Sequence, residues 1–152
     1  IQIARDAEVI SCLTHTSPNL EELVAMVEGR AWSPDKIALM KTEVGHGTIC
    51  ALATRLMERM DPNEAHIVVT LGEQGALLFS RVADMEPSVQ FIPAHTGVAV
   101  TNATGAGDSF TGAIVYALVN KNKMAAAVAA GMEAAVASLQ CDRTISPKIG
   151  TS

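Results

Sequence analysis

Charge is scarce in this chain. Only 18% of its 152 residues are Asp, Glu, Lys or Arg, against roughly 25% in an ordinary soluble domain. What charge there is gives a net of −5, and no basic cluster stands out, because nothing reinforces Lys121 and Lys123. That excludes a nucleic-acid binder, which needs a positive patch to meet phosphates. Cysteine is also sparse. Cys12, Cys50 and Cys141 are odd in number and far apart, so neither a disulfide framework nor a zinc-type spacing is present, and the pattern predicts buried thiols in a reducing cytoplasm. His15, His46, His66 and His95 are equally scattered, and no metal cluster is expected from their spacing. Long apolar runs are absent. Gly112–Val119 and Met124–Gly131 fall well short of the ~18 residues that suggest a membrane span.

What is present is apolar. A hydrophobic content of 49% and a mean hydropathy of +0.26 exclude disorder, since such a chain buries enough surface to offset its ordering entropy. The length suits one ordinary domain. Low charge on so apolar a chain also implies surface that a partner segment covers. Ile1–Arg5 reads as the middle of something longer, with no leader before it.

Periodicity alternates between strand and helix. Val9–Thr16 is rich in β-branched residues and reads as a strand ending at Ser17-Pro18-Asn19. Leu20, Leu23, Val24 and Val27 follow helical spacing up to Gly29. Ser33-Pro34-Asp35 starts a second helix: Ser33 can cap, Pro34 fits the first turn, and Asp35 suits the positive end. Its stripe pauses at Gly45-His46-Gly47 and resumes to Met60, with Met57 and Met60 as packing residues and Trp32 as a half-buried anchor. His66–Leu71 is a continuous apolar run, turned at Gly72–Gly75 and answered by Ala76–Ser80, which predicts a hairpin. Val89–Ile92 and Gly97–Thr101 read as short strands. Two helices follow, broken at Asn120-Lys121-Asn122, and the tail from Asp142 to Ser152 reads as loosely ordered. The fold class is α/β.

The sharpest local feature is Thr104-Gly105-Ala106-Gly107-Asp108, between a strand and a helix. Glycines let a ligand approach the backbone, and free N–H groups at a helix start favour an anion. A carboxylate there can take a proton from an incoming hydroxyl while the amides hold negative charge. The same residues also suit a plain glycine-rich turn followed by a first-turn acid. A P-loop is excluded because GxxxxGK[ST] is missing, and the incomplete GxGxxG argues against a dinucleotide fold. Ser109 has no histidine partner close in sequence, so a serine nucleophile is not expected.

Thr104-Gly105-Ala106-Gly107-Asp108-Ser109-Phe110 resembles the signature of the ribokinase-like (PfkB) sugar and nucleoside kinases. Two upstream segments match in the same order. Asn19 and Glu22 within Pro18–Leu23 resemble the family's N-x-x-E motif, and Val69–Ala76 resembles its nucleotide-binding strand and turn. Thr16–Leu23 is most similar to pseudouridine kinases, with ribokinase, fructokinase and adenosine kinase open as alternatives. The resemblance implies a three-layer α/β/α sandwich of which residues 1–152 form the C-terminal ATP-binding and catalytic portion, the N-terminal half and lid lying elsewhere. It implies ATP and Mg²⁺ as cofactors and a sugar or nucleoside acceptor. Asp108 is then the general base, with Gly105, Ala106 and Gly107 as anion hole. Thr70, Gly72, Gly75 and Thr104 contact the nucleotide, and Asn19 and Glu22 organise Mg²⁺ through water. Asn102 and Ala103 depart from the family's D-T at the start of the signature, which puts any metal role of that position in doubt. Uncovered apolar surface implies self-association. Two other classes stay open: a module that holds MgATP without turnover, and a structural α/β domain that binds no nucleotide.

Overall fold

The structure, a computed structural model, describes residues 6–143; the sequence-predicted tail beyond Arg143 lies outside them. The chain divides into two compact units, one ending at Phe91 and the other beginning at Ile92.

The first unit opens with helix α1, Ala7–Ser11, where the sequence pattern suggests a strand. Asp6 is the reason. Its Oδ1 accepts the Glu8 N–H at 2.9 Å and starts a helical turn, which leaves only His15–Thr16 as strand β1. Helix α2, Leu20–Glu28, runs as its spacing predicts and ends at Gly29. Helix α3, Pro34–Met40, begins after Ser33 with proline in its first turn, but Ser33 makes no side-chain cap. Helix α4, Glu43–Met57, contains Gly45-His46-Gly47 instead of breaking there. The break falls at Lys41–Thr42, where Thr42 Oγ1 donates to Leu39 O at 2.7 Å. Gly45 then passes against α3: a Cβ on it would lie 2.3 Å from Met40 Cα. The glycines mark a crossing of helices and not a gap in one.

Strand β2, Glu64–Thr70, pairs parallel with β1, His15 beside His66 and Thr16 beside Ile67. It pairs antiparallel with β3, Gly75–Val82, from Glu64 opposite Val82 to Thr70 opposite Ala76. A 3-10 turn at Gly72–Gln74 joins them, so the expected hairpin is present with two more residues at the end of its second strand. Strand β4, Ser88–Pro93, completes the order β1-β2-β3-β4. One face of the sheet (Ala65, Ile67, Val69, Leu71, Leu77 and Phe79) packs into a single core with Leu23 and Val24 of α2, Ile37 and Met40 of α3, and Ile49, Leu52 and Leu56 of α4. Met57 and Met60 join that core, as expected. Trp32 packs half-buried against it with Lys36 Nζ 3.4 Å from its ring centroid.

Two expectations about reactive side chains need correction. The thiols are not all buried: Cys12 is exposed, and Cys50 and Cys141 are half-buried. The histidines are not all scattered, because parallel pairing brings the His15 and His66 rings to 4.8 Å. Burial, and then His66, hold the His15 imidazole below its ordinary value, against an opposing pull from Glu64.

The second unit is an antiparallel helix pair, α5 (Ala106–Val119) and α6 (Met124–Leu139). Asn122 closes the turn between them, its N–H and its Nδ2 both donating to Ala117 O, at 3.1 and 3.0 Å. Gly97–Thr101 is not a strand. The N–H groups of Thr101 and Asn102 donate to Leu139 O at 2.7 and 3.2 Å, so the end of this stretch is tied to the end of α6 and not to a strand. Among the described residues, no helix is long and apolar enough to cross a membrane.

Gly131 sets the spacing of the pair. A Cβ there would meet Ile114 Cγ1 and Phe110 Cδ2 at 2.9 Å and Phe110 O at 3.0 Å. Gly131→Leu should therefore cost about 1–3 kcal/mol through overpacking, read as a lower denaturant midpoint. Gly47→Ala is the control. It faces open space within α4 and should stabilise by about 0.5–1 kcal/mol. A Gly131→Leu protein as stable as the parent would remove the close-packing account.

Candidate functional site

The site residues fall on both units, and each group is built locally. In the first unit, Asn19 is the N-cap of α2. Its Oδ1 accepts the Glu22 N–H at 2.9 Å, and Glu22 Oε2 accepts the Asn19 N–H at 2.9 Å, a complete capping box. Both side chains thus have a structural task. One carboxylate oxygen of Glu22 stays outside that exchange, and the carboxylate is exposed. This suits a cation held through water better than one chelated directly by both residues.

The chain brings this motif next to the end of β2, before the Gly72–Gly75 turn. Asn19 forms an isolated parallel bridge with Thr70, and the Thr70 N–H donates to Pro18 O at 3.1 Å. Residues about fifty positions apart therefore meet at the carboxyl ends of the parallel strands β1 and β2, where open α/β sheets bind ligands. Beyond Thr70, Gly72 is exposed with φ 65°, while Gly75 is buried with φ 118°. The Leu71 N–H donates to Gly75 O at 2.8 Å. Gly72 is thus open to a ligand, and Gly75 shapes the turn from within.

In the second unit, Gly105 caps α5 in the left-handed conformation, φ 85° and ψ −3°, without any side-chain cap. The unusual torsion belongs to Gly105 and not to Gly107, which lies inside the helix facing open space. The first bond of α5 runs from the Ser109 N–H to Gly105 O at 2.9 Å. The N–H groups of Ala106, Gly107 and Asp108 precede that bond and are left for an anion. Asp108 is exposed in the first turn and makes no hydrogen bond or ion pair among the described residues. Asn102 has a role that its sequence position does not reveal: its Oδ1 accepts the Thr104 N–H at 2.9 Å and folds the loop. That ties up the Thr104 amide, so only its side chain remains for a ligand. Sequence reasoning also passes over the character of Ser109. Its Oγ is buried directly after Asp108 without a hydrogen-bond partner.

These elements define a mixed α/β protein of ribokinase-like fold. Over 91% of this chain it superposes on 39% of phosphofructokinase-2 from Escherichia coli, solved with potassium, at a TM-score of 0.65 and 22% identity. Ribokinase from Arabidopsis thaliana, solved with ribose and ATP, matches 93% of this chain and 40% of its own at 0.63 and 20%. Ribokinase from Cryptococcus neoformans, solved with ADP, matches 95% of this chain and 44% of its own at 0.64 and 19%. The chain thus spans about two fifths of these relatives' length. The model of the pfkB family of carbohydrate kinases matches residues 4–150, and the chain belongs to that family.

The capping box gives a check of the local geometry. Asn19→Ala should cost about 0.5–2 kcal/mol, whereas Asn19→Ser should retain most of the cap. Equal denaturant midpoints for the two variants would contradict the reciprocal pair.

Proposed function

We propose that the chain carries the nucleotide and catalytic side of an ATP-dependent kinase acting on an alcohol of a sugar or nucleoside. The observation that carries this reading is the start of α5, where a left-handed Gly105 replaces a side-chain cap and leaves exposed amides beside a free Asp108 carboxylate. Family membership supports it. Bound MgATP supplies the phosphoryl group and neutralises its charge.

The residues of this chain do the rest. Asp108 accepts the proton of the acceptor hydroxyl. The amides following Gly105 hold negative charge in a site whose donors are already oriented, so no reorganisation is needed at the moment of reaction. Thr70, Gly72 and Gly75 are the nucleotide contacts of the first unit and the Thr104 side chain that of the second, and Glu22 orients water around the cation. Asn102 supplies no charge and shapes the loop. Thr16–Leu23 favours pseudouridine as the acceptor, ahead of ribose, fructose or adenosine. The setting is cytoplasmic.

The acceptor side is assigned to the part of the relatives that this chain does not span. Val115, Tyr116 and Val119 on α5 are exposed, as apolar surface awaiting a cover would be. Residues 1–152 alone should therefore bind MgATP weakly, self-associate, and release no ADP efficiently with ribose, fructose, adenosine or pseudouridine. Turnover of ~1–100 s⁻¹ would place the acceptor site within these residues.

In a kinase polypeptide containing these residues, Asp108→Asn should lower kcat about 10²–10⁴-fold with ATP affinity nearly unchanged. Gly107→Val should act oppositely, weakening nucleotide binding because its side chain fills the approach to the amides. If Asp108→Asn kept the parental kcat, another group would have to be the base.

A further inference from the structure

We propose that His15, Glu64 and His66 form a binding site for a divalent transition metal of the zinc type, separate from the nucleotide side. One donor atom from each of the three lies within 4.8 Å of the other two. The cluster follows from the fold: His15 and His66 are register partners across β1 and β2. Glu64 stands two positions before His66 on β2, on the same face of the strand. Its Oε1 lies 3.2 Å from His66 Nε2.

The surroundings are those of metal-ligating histidines. Such a ring donates its second N–H to a fixed acceptor, which sets the tautomer and the ring orientation. Here His66 Nδ1 lies 2.9 Å from Ser80 Oγ, and His15 Nδ1 lies 2.8 Å from Thr14 Oγ1. In the tautomer whose Nδ1–H groups donate to these hydroxyls, both Nε2 atoms are free as ligands, and a metal would take the place of the proton between His66 Nε2 and Glu64 Oε1. Two imidazole nitrogens and one carboxylate oxygen are a zinc ligand set, with a fourth position open to water. Zinc bonds of ~2.0–2.2 Å require the three donors to draw closer together. The half-exposed His15 and the exposed Glu64 have room to do so.

Hard Mg²⁺ prefers oxygen ligands and does not compete for such a set. The site is also remote from the proposed Mg²⁺ position. Thr70 lies four positions beyond His66 on β2, a distance of roughly 13 Å along an extended strand. Because its ligands come from two strands, the ion would clasp β1 to β2. A metal that binds only the folded chain stabilises it by mass action.

The test is titration of the purified full chain with Zn²⁺ by calorimetry and with Co²⁺ by visible absorption, in the presence of excess Mg²⁺. We expect one equivalent of Zn²⁺, a tetrahedral cobalt spectrum without a thiolate charge-transfer band, and a Tm that rises with Zn²⁺. Glu64→Gln, an exposed change that leaves the fold intact, and His15→Ala should each weaken Zn²⁺ at least about tenfold. Ser80→Ala, which only positions His66, should weaken it about 10–100-fold. The proposal is overturned if the chain binds less than one equivalent, if thiolate absorption shows that a cysteine holds the ion, or if Glu64→Gln and His15→Ala bind as tightly as the parent.

Discussion

One parallel strand pairing organises the first unit. β1 is only His15–Thr16, yet its register on β2 fixes what stands at both ends of that strand. Toward the carboxyl end, the chain leaves β1 through Pro18 and reaches the Asn19–Thr70 bridge. There the first helix turn of one motif meets the turn of another. Toward the amino end, the same register sets His15 on His66. Parallel pairing is costly to form, because a long crossover must be ordered before its contacts are gained. The core of α2, α3 and α4 against Ile67 and Val69 is what offsets that cost. A shift of one residue would exchange the two buried faces of β2, turning the polar His66 toward the helical core and Ile67 to the face that His66 and Val68 now occupy.

Much of this was legible in the sequence. Period-3.6 spacing marked α2 and α5, small residues marked α6, and the apolar run at His66–Leu71 marked a buried strand. Three motifs in a fixed order pointed to the family. The failures were local and have local causes. At Asp6, a single cap turned an apparent strand into a helical turn. At Gly45 and Gly47, glycine served helix crossing and exposure inside α4, which composition cannot distinguish from a break. At Gly97–Thr101, the β-branched pattern was real, but the Thr101 N–H bonds to the end of a helix and not to a strand.

The histidine cluster shows a different limit. His15 and His66 are fifty-one positions apart, so no ligand spacing along the chain reveals them. Only the register does. Glu64 and His66 are neighbours on one face of β2, but the sequence pattern begins that strand only at His66. Without the partner strand that pair is an ordinary surface contact. Metal sites built across parallel strands are thus hidden from spacing rules written for loops and single helices.

The loop before α5 shows how the departure at Asn102 fits the proposed chemistry. From Thr101 to Phe110, Asp108 is the only ionisable side chain. A carboxylate at position 102 could accept the Thr104 N–H as Asn102 does, but it would add a second negative charge to a loop proposed to meet phosphate. Like charges in one site raise the cost of keeping both ionised and of bringing in an anion. The amide keeps the hydrogen bond at 2.9 Å and removes that repulsion. It also leaves the loop's whole negative charge on Asp108, the one group whose proposed task requires an unpaired carboxylate. On this reading the neutral residue divides the labour: Asn102 folds the loop, Gly105 opens the amides, and Asp108 keeps its lone pairs for the acceptor proton.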